Sequence, residues 1–247
     1  MPERDVACWN TVISCYYQDG QAHRATDLFE KMRSFGFMPN SITLTTVISS
    51  CARLLDLERG MEIHKGLIKN RLILDSVVCS AVVDMYGKCG CLDMAKEVFE
   101  QIPIKNVISW NFMITAYSVT GDSRSCIQLF RRMNDEGTSP ALTIFSSILL
   151  ASSRSAQLHH IKLIHGFIIR NNIETDIYIY NSLMDLYFMC GNVSSAENVF
   201  EKMPKTNAVS WNVMISGYVK MGYYFGAPAM YDDMKEAGVR PNAIIGS

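Results

Sequence analysis

The sequence predicts an all-α protein, a solenoid of about seven stacked helix-turn-helix units, and its internal periodicity carries that prediction. The dipeptide Trp-Asn recurs at intervals of 101 residues, beginning at Trp9, Trp110 and Trp211. The same interval relates several further sets of residues: Met32, Met133 and Met234; Gly36, Gly137 and Gly238; Pro39, Pro140 and Pro241; His64 and His165. A fixed period is typical of repeat proteins rather than of a single globular core.

Each block of 101 residues divides into three similar segments of 35, 35 and 31 residues. The predicted units are 6–40, 41–75, 76–106, 107–141, 142–176, 177–207 and 208–242. Residues 1–5 resemble the end of a preceding unit, since Met1-Pro2 matches Met203-Pro204, and residues 243–247 are either the start of a further unit or terminal residues. We therefore expect the chain to be a fragment of a longer protein.

The first unit illustrates why each segment reads as two helices. Apolar residues recur at helical spacing on both sides of a break at Asp19-Gly20. The second helix is expected to stop at Gly36, where glycine favours a left-handed cap, and Pro39 prevents continuation. One hairpin has too little partner surface to bury its apolar face, so neighbouring units must stack into a curved solenoid with a concave side.

Most repeated side chains are explained by this packing. We expect Trp9, Trp110 and Trp211 to lie in the core, and His64 and His165 to pack between neighbouring units. The eight cysteines are too sparse for a disulfide scaffold and are interpreted as reduced. Cys89 and Cys91 lack the further ligands of a zinc site, so no metal is predicted.

Composition and motifs narrow the classes of function. Charged and polar residues interrupt every apolar run before about 18 residues, so no membrane span is predicted. A zinc deaminase needs a histidine or cysteine two residues before a glutamate together with a C-x-x-C pair, and neither occurs. No phosphate-binding glycine loop or nucleophile motif is present either. We therefore predict a binding protein that is no enzyme by itself and uses no cofactor.

The unit lengths and several strings of residues indicate a family. With 209–218 reading VSWNVMISGY, 183–187 reading LMDLY and Cys190-Gly191 following, the chain resembles plant pentatricopeptide-repeat proteins of the mixed-length PLS subclass. The resemblance implies a right-handed superhelical solenoid that binds single-stranded RNA, one base per unit, in mitochondria or chloroplasts. It further implies the choice of cytidines for conversion to uridine, with deaminase activity supplied by a C-terminal region outside this chain or by partner proteins of an editing complex. RNA binding for splicing or transcript stability, rather than editing, is the alternative within the family.

In the family, the fifth and last residues of each unit face the base. Here those pairs are Asn10 with Asn40, Thr45 with Asp75, Ser80 with Asn106, Asn111 with Ala141, Ser146 with Asp176, Asn181 with Asn207, and Asn212 with Asn242. The family's pairing rule then implies, from 5′ to 3′, pyrimidine, guanine, adenine, an unspecified base, guanine, pyrimidine and pyrimidine. The fourth base is unspecified because the methyl group of Ala141 neither donates nor accepts a hydrogen bond.

The second residues of adjacent units would sandwich each base by the same resemblance. They are Ala7, Ile42, Val77, Ile108, Thr143, Tyr178 and Val209. Both sets have a simpler interpretation. Core packing accounts equally well for the second residues. Helix capping accounts for the polar ones, with Asn10, Asn111 and Asn212 beginning helices and each terminal Asn or Asp capping the next helix.

The thirteenth residue of four units is basic: Arg53, Lys88, Arg154 and Lys220. These side chains would form a row for a phosphate backbone, or would simply favour the C-terminus of the first helix. If all four contact phosphates, log affinity should fall with log salt at a slope of roughly −3. The net charge of −1 makes such placement necessary, and it also favours an alternative function as a protein-binding scaffold. Exposed apolar faces at the terminal units predict self-association of the fragment.

Overall fold

The computed structural model describes residues 5–69, 75–155, 157–204 and 206–240. Within these residues the protein consists of fourteen α-helices and contains no strand. The helices are α1 (Val6–Gln18), α2 (Ala22–Ser34), α3 (Ser41–Leu54), α4 (Leu57–Lys69), α5 (Ser76–Lys88), α6 (Leu92–Gln101), α7 (Val107–Thr120), α8 (Ser123–Asp135), α9 (Leu142–Ser155), α10 (Leu158–Arg170), α11 (Ile177–Met189), α12 (Val193–Lys202), α13 (Ala208–Lys220) and α14 (Gly226–Glu236). No helix in the described ranges combines the length and apolar character that crossing a bilayer would need.

The helices alternate as first and second members of a hairpin. Each odd-numbered helix begins at the first residue of a predicted unit, from Val6 in α1 to Ala208 in α13. The hairpin turn between α1 and α2 contains Gly20 at φ +81°, and Gly36 follows α2 at φ +80°. Both glycines therefore take the left-handed backbone, a conformation costly for residues with a Cβ. For Gly36 this confirms the predicted left-handed cap.

The chain divides into two compact units, Met1–Tyr117 with Leu129–Pro140, and Ser118–Gln128 with Ala141–Ser247, and two of the divisions fall within α7 and α8. The first has a core around Phe99 and Trp110, whose rings meet edge to face with centroids 4.9 Å apart. In the second, Phe200 and Trp211 make the same contact at 4.8 Å. Trp9, Trp110 and Trp211 are all buried, so their predicted core role is confirmed.

The two repeated histidines connect neighbouring hairpins. In the first compact unit, His64 Nδ1 on α4 shares a 3.0 Å hydrogen bond with the hydroxyl of Tyr86 on α5. In the second, His165 Nδ1 on α10 makes the corresponding bond to Tyr187 on α11 at 2.9 Å. The predicted packing role of these histidines between units is therefore confirmed.

Candidate functional site

The last residue of a unit caps the first helix of the next unit. Asn40 Oδ1 accepts a hydrogen bond from the backbone N–H of Thr43 at 3.1 Å, and Asp176 Oδ1 accepts one from Ile179 at 2.9 Å. The same arrangement holds for Asp75, Asn106 and Asn207. Side-chain oxygens at this position satisfy helix N–H groups that lack an intrahelical partner. The capping interpretation of these terminal residues is confirmed.

Two terminal residues differ from this pattern. Ala141 has no side-chain acceptor, and the N–H of Ile144 is bound by its backbone carbonyl at 3.0 Å instead. Asn242, the predicted base-reading partner of Asn212, lies outside the described residues. The polar reading edge predicted for the other units is therefore incomplete where Ala141 stands.

The capping interpretation is wrong for Asn10, Asn111 and Asn212. These residues do not begin helices; each is the fifth residue of a helix that starts at Val6, Val107 or Ala208. The cap position is already occupied one residue before each of those starts. Before α1, for example, Asp5 Oδ1 accepts a hydrogen bond from Cys8 N at 2.8 Å, and this bond lowers the pKa of the Asp5 carboxyl. The three asparagines therefore do not cap these helices.

In the first unit the fifth and last residues contact each other. Asn10 Nδ2 donates to Asn40 Oδ1 at 3.1 Å, and the hydroxyl of Thr43 donates to Asn10 Oδ1. Asn10 is buried while Asn40 is exposed, so this small network runs from the helix surface inward. The two positions that the family resemblance assigns to one base thus lie within hydrogen-bonding distance of each other. Thr43, which orients both amides, was not among the predicted residues.

The predicted sandwich residues all lie at the surface. Tyr178 is 75% exposed and Ile42 is 60% exposed. The remaining members, Ala7, Val77, Ile108, Thr143 and Val209, are exposed as well. Core packing was an equally good account of these residues from sequence, and the structure shows that account to be wrong. Apolar side chains repeated at an exposed position are instead available to contact a ligand.

One groove brings several predicted residues together, between α11 and α13 in the second compact unit. It has a volume of about 520 Å³, and both Tyr178 and Val209 line it. Asn181 and Asn212 line it too, together with Lys220. Asn181 is only 8% exposed, and among the described residues no donor reaches its buried Oδ1 atom. Apolar side chains and an unsatisfied amide oxygen in one groove suit a flat ligand with apolar faces and a polar edge.

The fifth residues of the other units are less uniform. Thr45 carries a buried hydroxyl with no hydrogen-bond partner among the described residues, which matches the situation of Asn181. Ser80 is buried and donates its hydroxyl to the carbonyl of Ser76 in its own helix at 2.6 Å, so only its lone pairs remain. Ser146 is exposed, and Asn111 is partly buried.

The four predicted phosphate-binding residues are exposed, and each has a partner inside the chain. The Arg53 guanidinium donates to the carbonyl of Tyr17 at 3.1 Å, and Arg154 donates to that of Val119. Both carbonyls belong to the end of the preceding unit's first helix, where a positive charge is favourable. The arginines therefore support the alternative of helix-end stabilisation.

The two lysines instead form ion pairs. Lys88 Nζ lies 2.7 Å from Asp84 Oδ2, and Lys220 Nζ lies 3.6 Å from Asp185 Oδ1. Neither aspartate was among the residues predicted for the site. A signal was present, because Asp84 and Asp185 are 101 residues apart and stand ninth in the two 31-residue units.

The fold and this site define a class: a helical-hairpin repeat protein whose first helices present recurring apolar and polar side chains. Comparison with known families makes the assignment specific. A model described as PPR repeat family matches residues 4–53 and 206–244. One described as Pentatricopeptide repeat domain matches residues 168–221. A third, described as PPR repeat, matches residues 42–72, 77–107 and 108–138. The chain belongs to the pentatricopeptide-repeat family.

Curated relatives agree with this assignment. The chain is 54% identical over 244 residues to a pentatricopeptide repeat-containing protein of Arabidopsis thaliana, covering 99% of this chain and 35% of the relative. Two other Arabidopsis thaliana relatives are named mitochondrial and chloroplastic. The mitochondrial one is 37% identical, and the match covers 99% of this chain and 39% of the relative. The chloroplastic one is 30% identical, and the match covers 99% of this chain and 30% of the relative. The chain thus spans about a third of the length of these relatives.

Two solved structures share the fold. One is the pentatricopeptide repeat protein PPR10, a maize protein, in complex with an 18-nt psaJ RNA element, with TM-score 0.61, 19% identity, and coverage of 98% of this chain and 35% of that one. The other is the PPR domain of Arabidopsis thaliana protein-only RNase P 1 in complex with tRNA. Its TM-score is 0.60 and its identity 12%, and the match covers 73% of this chain and 97% of that domain. At these identities the likeness concerns the fold, and it confirms the predicted all-helical solenoid class.

Proposed function

We propose that the chain binds single-stranded RNA in a sequence-specific manner, one base per unit. The observation that carries this proposal is the groove between α11 and α13, where exposed Tyr178 and Val209 accompany the buried, unsatisfied amide oxygen of Asn181. The PPR10 structure of the same fold is a complex with an RNA element, and the RNase P domain is bound to tRNA. Both are complexes of other proteins, and they support RNA as the ligand class here.

In this groove the proposed ligand is the sixth base of the bound stretch. The ring of Tyr178 and the methyl groups of Val209 would contact the two faces of the base, which are apolar and indifferent to its identity. The amide of Asn181 would meet the base edge, because it can both accept and donate a hydrogen bond. The capping residue Asn207 completes the reading pair, and the family's pairing rule assigns a pyrimidine to it.

The full site follows from repeating this arrangement along the chain. Its order from 5′ to 3′ is pyrimidine, guanine, adenine, any base, guanine, pyrimidine and pyrimidine. The fourth position stays unread because Ala141 supplies no polar group. No catalytic role is assigned to these residues.

We further propose that the longer protein selects cytidines for conversion to uridine in an organelle. Two features support this step: relatives are named mitochondrial and chloroplastic, and the unit lengths follow a repeating order of 35, 35 and 31 residues. The deaminase activity would come from other proteins of an editing complex. Full-length protein added to organellar extract should raise conversion of a cytidine placed downstream of the seven-base site. Conversion that ignores the site sequence would contradict the editing role.

RNA reading is tested by changing one base and one residue together. Fluorescence anisotropy would compare RNAs carrying a pyrimidine or adenine at the sixth base, with wild-type protein and the Asn181→Thr variant. Wild type should prefer the pyrimidine, and the variant should prefer adenine, each by about tenfold. Asn198→Thr is the matched control, since Asn198 is exposed on the second helix α12 and should leave the preference unchanged. Absence of RNA binding would favour a protein-binding scaffold instead.

A further inference from the structure

The groove between α11 and α13 also contains an ion pair that base reading does not explain. Lys220 Nζ on α13 lies 3.6 Å from Asp185 Oδ1 on α11, and the two side chains are 61% and 51% exposed. Among the described residues that line the groove, these two are the charged ones, so their charges cancel. A groove for a polyanion would bind more tightly with the lysine alone.

The aspartate recurs although the position of its lysine changes. In unit 76–106, Asp84 pairs with Lys88, the thirteenth residue of the same unit. In unit 177–207 the thirteenth residue is Met189, and the lysine that pairs with Asp185 comes from the next unit as Lys220. An aspartate paired with a lysine is therefore present in both 31-residue units, whichever helix supplies the cation. A simple i to i+4 pair within one helix does not account for the second case.

The position of Asp185 suggests what it acts on. It follows Asn181 by four residues on α11, so the two side chains lie on the same face of that helix. Under the proposed function, RNA that presents a base edge to Asn181 would pass its phosphates along this groove, where Lys220 is the cation among the described lining residues. The Asp185 carboxylate then competes with phosphate for the ammonium group and repels phosphate directly.

We propose that Asp185 is a positioning residue that holds Lys220 and limits the sequence-independent part of RNA affinity. The ligand concerned is the phosphate backbone of single-stranded RNA, so this inference rests on the proposed function. Base contacts act on one sequence, whereas phosphate contacts strengthen binding to every sequence. A weak phosphate contact lowers the occupancy of the protein by non-target RNA.

The test uses Asp185→Asn, which removes the negative charge with little change in shape. Affinity should rise about threefold for the target RNA and for a sixth-base mismatch alike. The slope of log affinity against log salt should steepen by about 0.7, the contribution of one further phosphate contact. Asp232→Asn is the matched control, because Asp232 on α14 forms a 3.3 Å pair with Lys235 and does not line this groove. It should change neither quantity.

Repeating the substitution in a protein that lacks the Lys220 ammonium group shows whether Asp185 affects RNA affinity by holding that lysine. In Lys220→Gln protein, the gain from Asp185→Asn should fall by more than half, since the released ammonium is absent. Unchanged affinity and salt slope in Asp185→Asn would overturn the inference, and so would a uniform loss of affinity. A gain confined to one base would also overturn it, because Asp185 would then read the base. If wild-type protein binds no RNA, it is the proposed function that fails.

Discussion

Asn10 Nδ2 donates a hydrogen bond to Asn40 Oδ1 at 3.1 Å, and the same Asn40 oxygen accepts the N–H of Thr43 that it caps. One side chain therefore caps the start of α3 and orients the Asn10 amide, which is predicted to read the first base. Capping and base reading were competing interpretations of the polar residues in the sequence. In this unit the geometry makes them compatible, and two substitutions at Asn40 separate their effects.

Asn40→Ala should destabilise the protein by about 1 kcal/mol, because the helix loses its capping acceptor. Asn40→Asp should leave stability within about 0.5 kcal/mol, since aspartate caps equally well. In the family's pairing rule a last asparagine favours adenine or cytosine and a last aspartate favours guanine or uracil, so the pyrimidine preferred at the first base should change from cytosine to uracil. Urea unfolding and anisotropy titrations measure the two effects. If Asn40→Asp left the preference unchanged, Asn40 would be a cap alone.

Tyr178→Ala tests base stacking in the groove. Tyr178 is 75% exposed, so its loss should change the free energy of unfolding by less than about 0.5 kcal/mol. RNA affinity should nevertheless fall by about 1–3 kcal/mol, the value of one base stacked on an aromatic ring. Tyr224→Ala is the control, since Tyr224 is 72% exposed in the turn before α14. Equal affinity losses in the two variants would count against a specific stacking role for Tyr178.

The repeat explains why so much of the fold was predictable. A period of 101 residues places every unit in register, so one interpreted hairpin locates the others. The first helix of each unit begins where the unit was predicted to begin, from Val6 to Ala208. The residue before each start is an Asn or Asp that can cap the helix, except before α9, where it is Ala141. Burial of the tryptophans followed from residue type alone.

Properties that depend on tertiary neighbours were not predictable in the same way. Ile42 and Val47 are both apolar residues of α3, yet the first is 60% exposed and the second is buried. Helical spacing identifies apolar stripes without saying which one faces the next hairpin. Likewise, the partner of Lys220 is Asp185 on another helix, and only the packed structure shows it.

Two histidines, the buried His64 and the partly buried His165, predict a dependence of stability on pH. Burial lowers the pKa of His64, with Glu97 acting in the opposite sense, and burial together with nearby Lys202 lowers the pKa of His165. Both folded-state values therefore lie below the unfolded value of about 6.5, so the unfolded chain takes up more protons as the pH falls. Stability should decrease from about pH 7 toward pH 5, by at most about 1.4 kcal/mol per pH unit for each histidine.

Urea unfolding midpoints measured across that range check this expectation. The double variant His64→Gln, His165→Gln should show a flatter dependence, because the groups that differ in proton affinity are gone. His23→Gln is the control, since His23 is exposed on α2. A double variant with the full wild-type pH dependence would assign the effect to other groups.

Close packing between α11 and α13 predicts a large effect of a single methyl group. A Cβ on Gly217 would lie 2.3 Å from ring atoms of Phe188. At the equivalent junction 101 residues earlier, the small residue is on the other helix: Gly87 is equivalent to Phe188, and Ala116 is equivalent to Gly217. A Cβ on Gly87 would lie 2.7 Å from that of Ala116. Each junction thus has one glycine facing a larger neighbour.

Gly217→Ala should destabilise the protein by about 1–3 kcal/mol through overpacking, although alanine favours a helix over glycine by about 1 kcal/mol. Adding Phe188→Leu should recover part of the loss, because the smaller side chain leaves room for the methyl group. Gly66→Ala is the control: Gly66 lies within α4, and no described atom beyond its own helix backbone and chain neighbours comes within 4 Å of its added Cβ. That variant should be neutral or more stable. Chemical denaturation of the wild type and the three variants measures these changes in stability. If Gly217→Ala lost as much stability with Phe188→Leu as without it, the Phe188 ring would not be the obstacle.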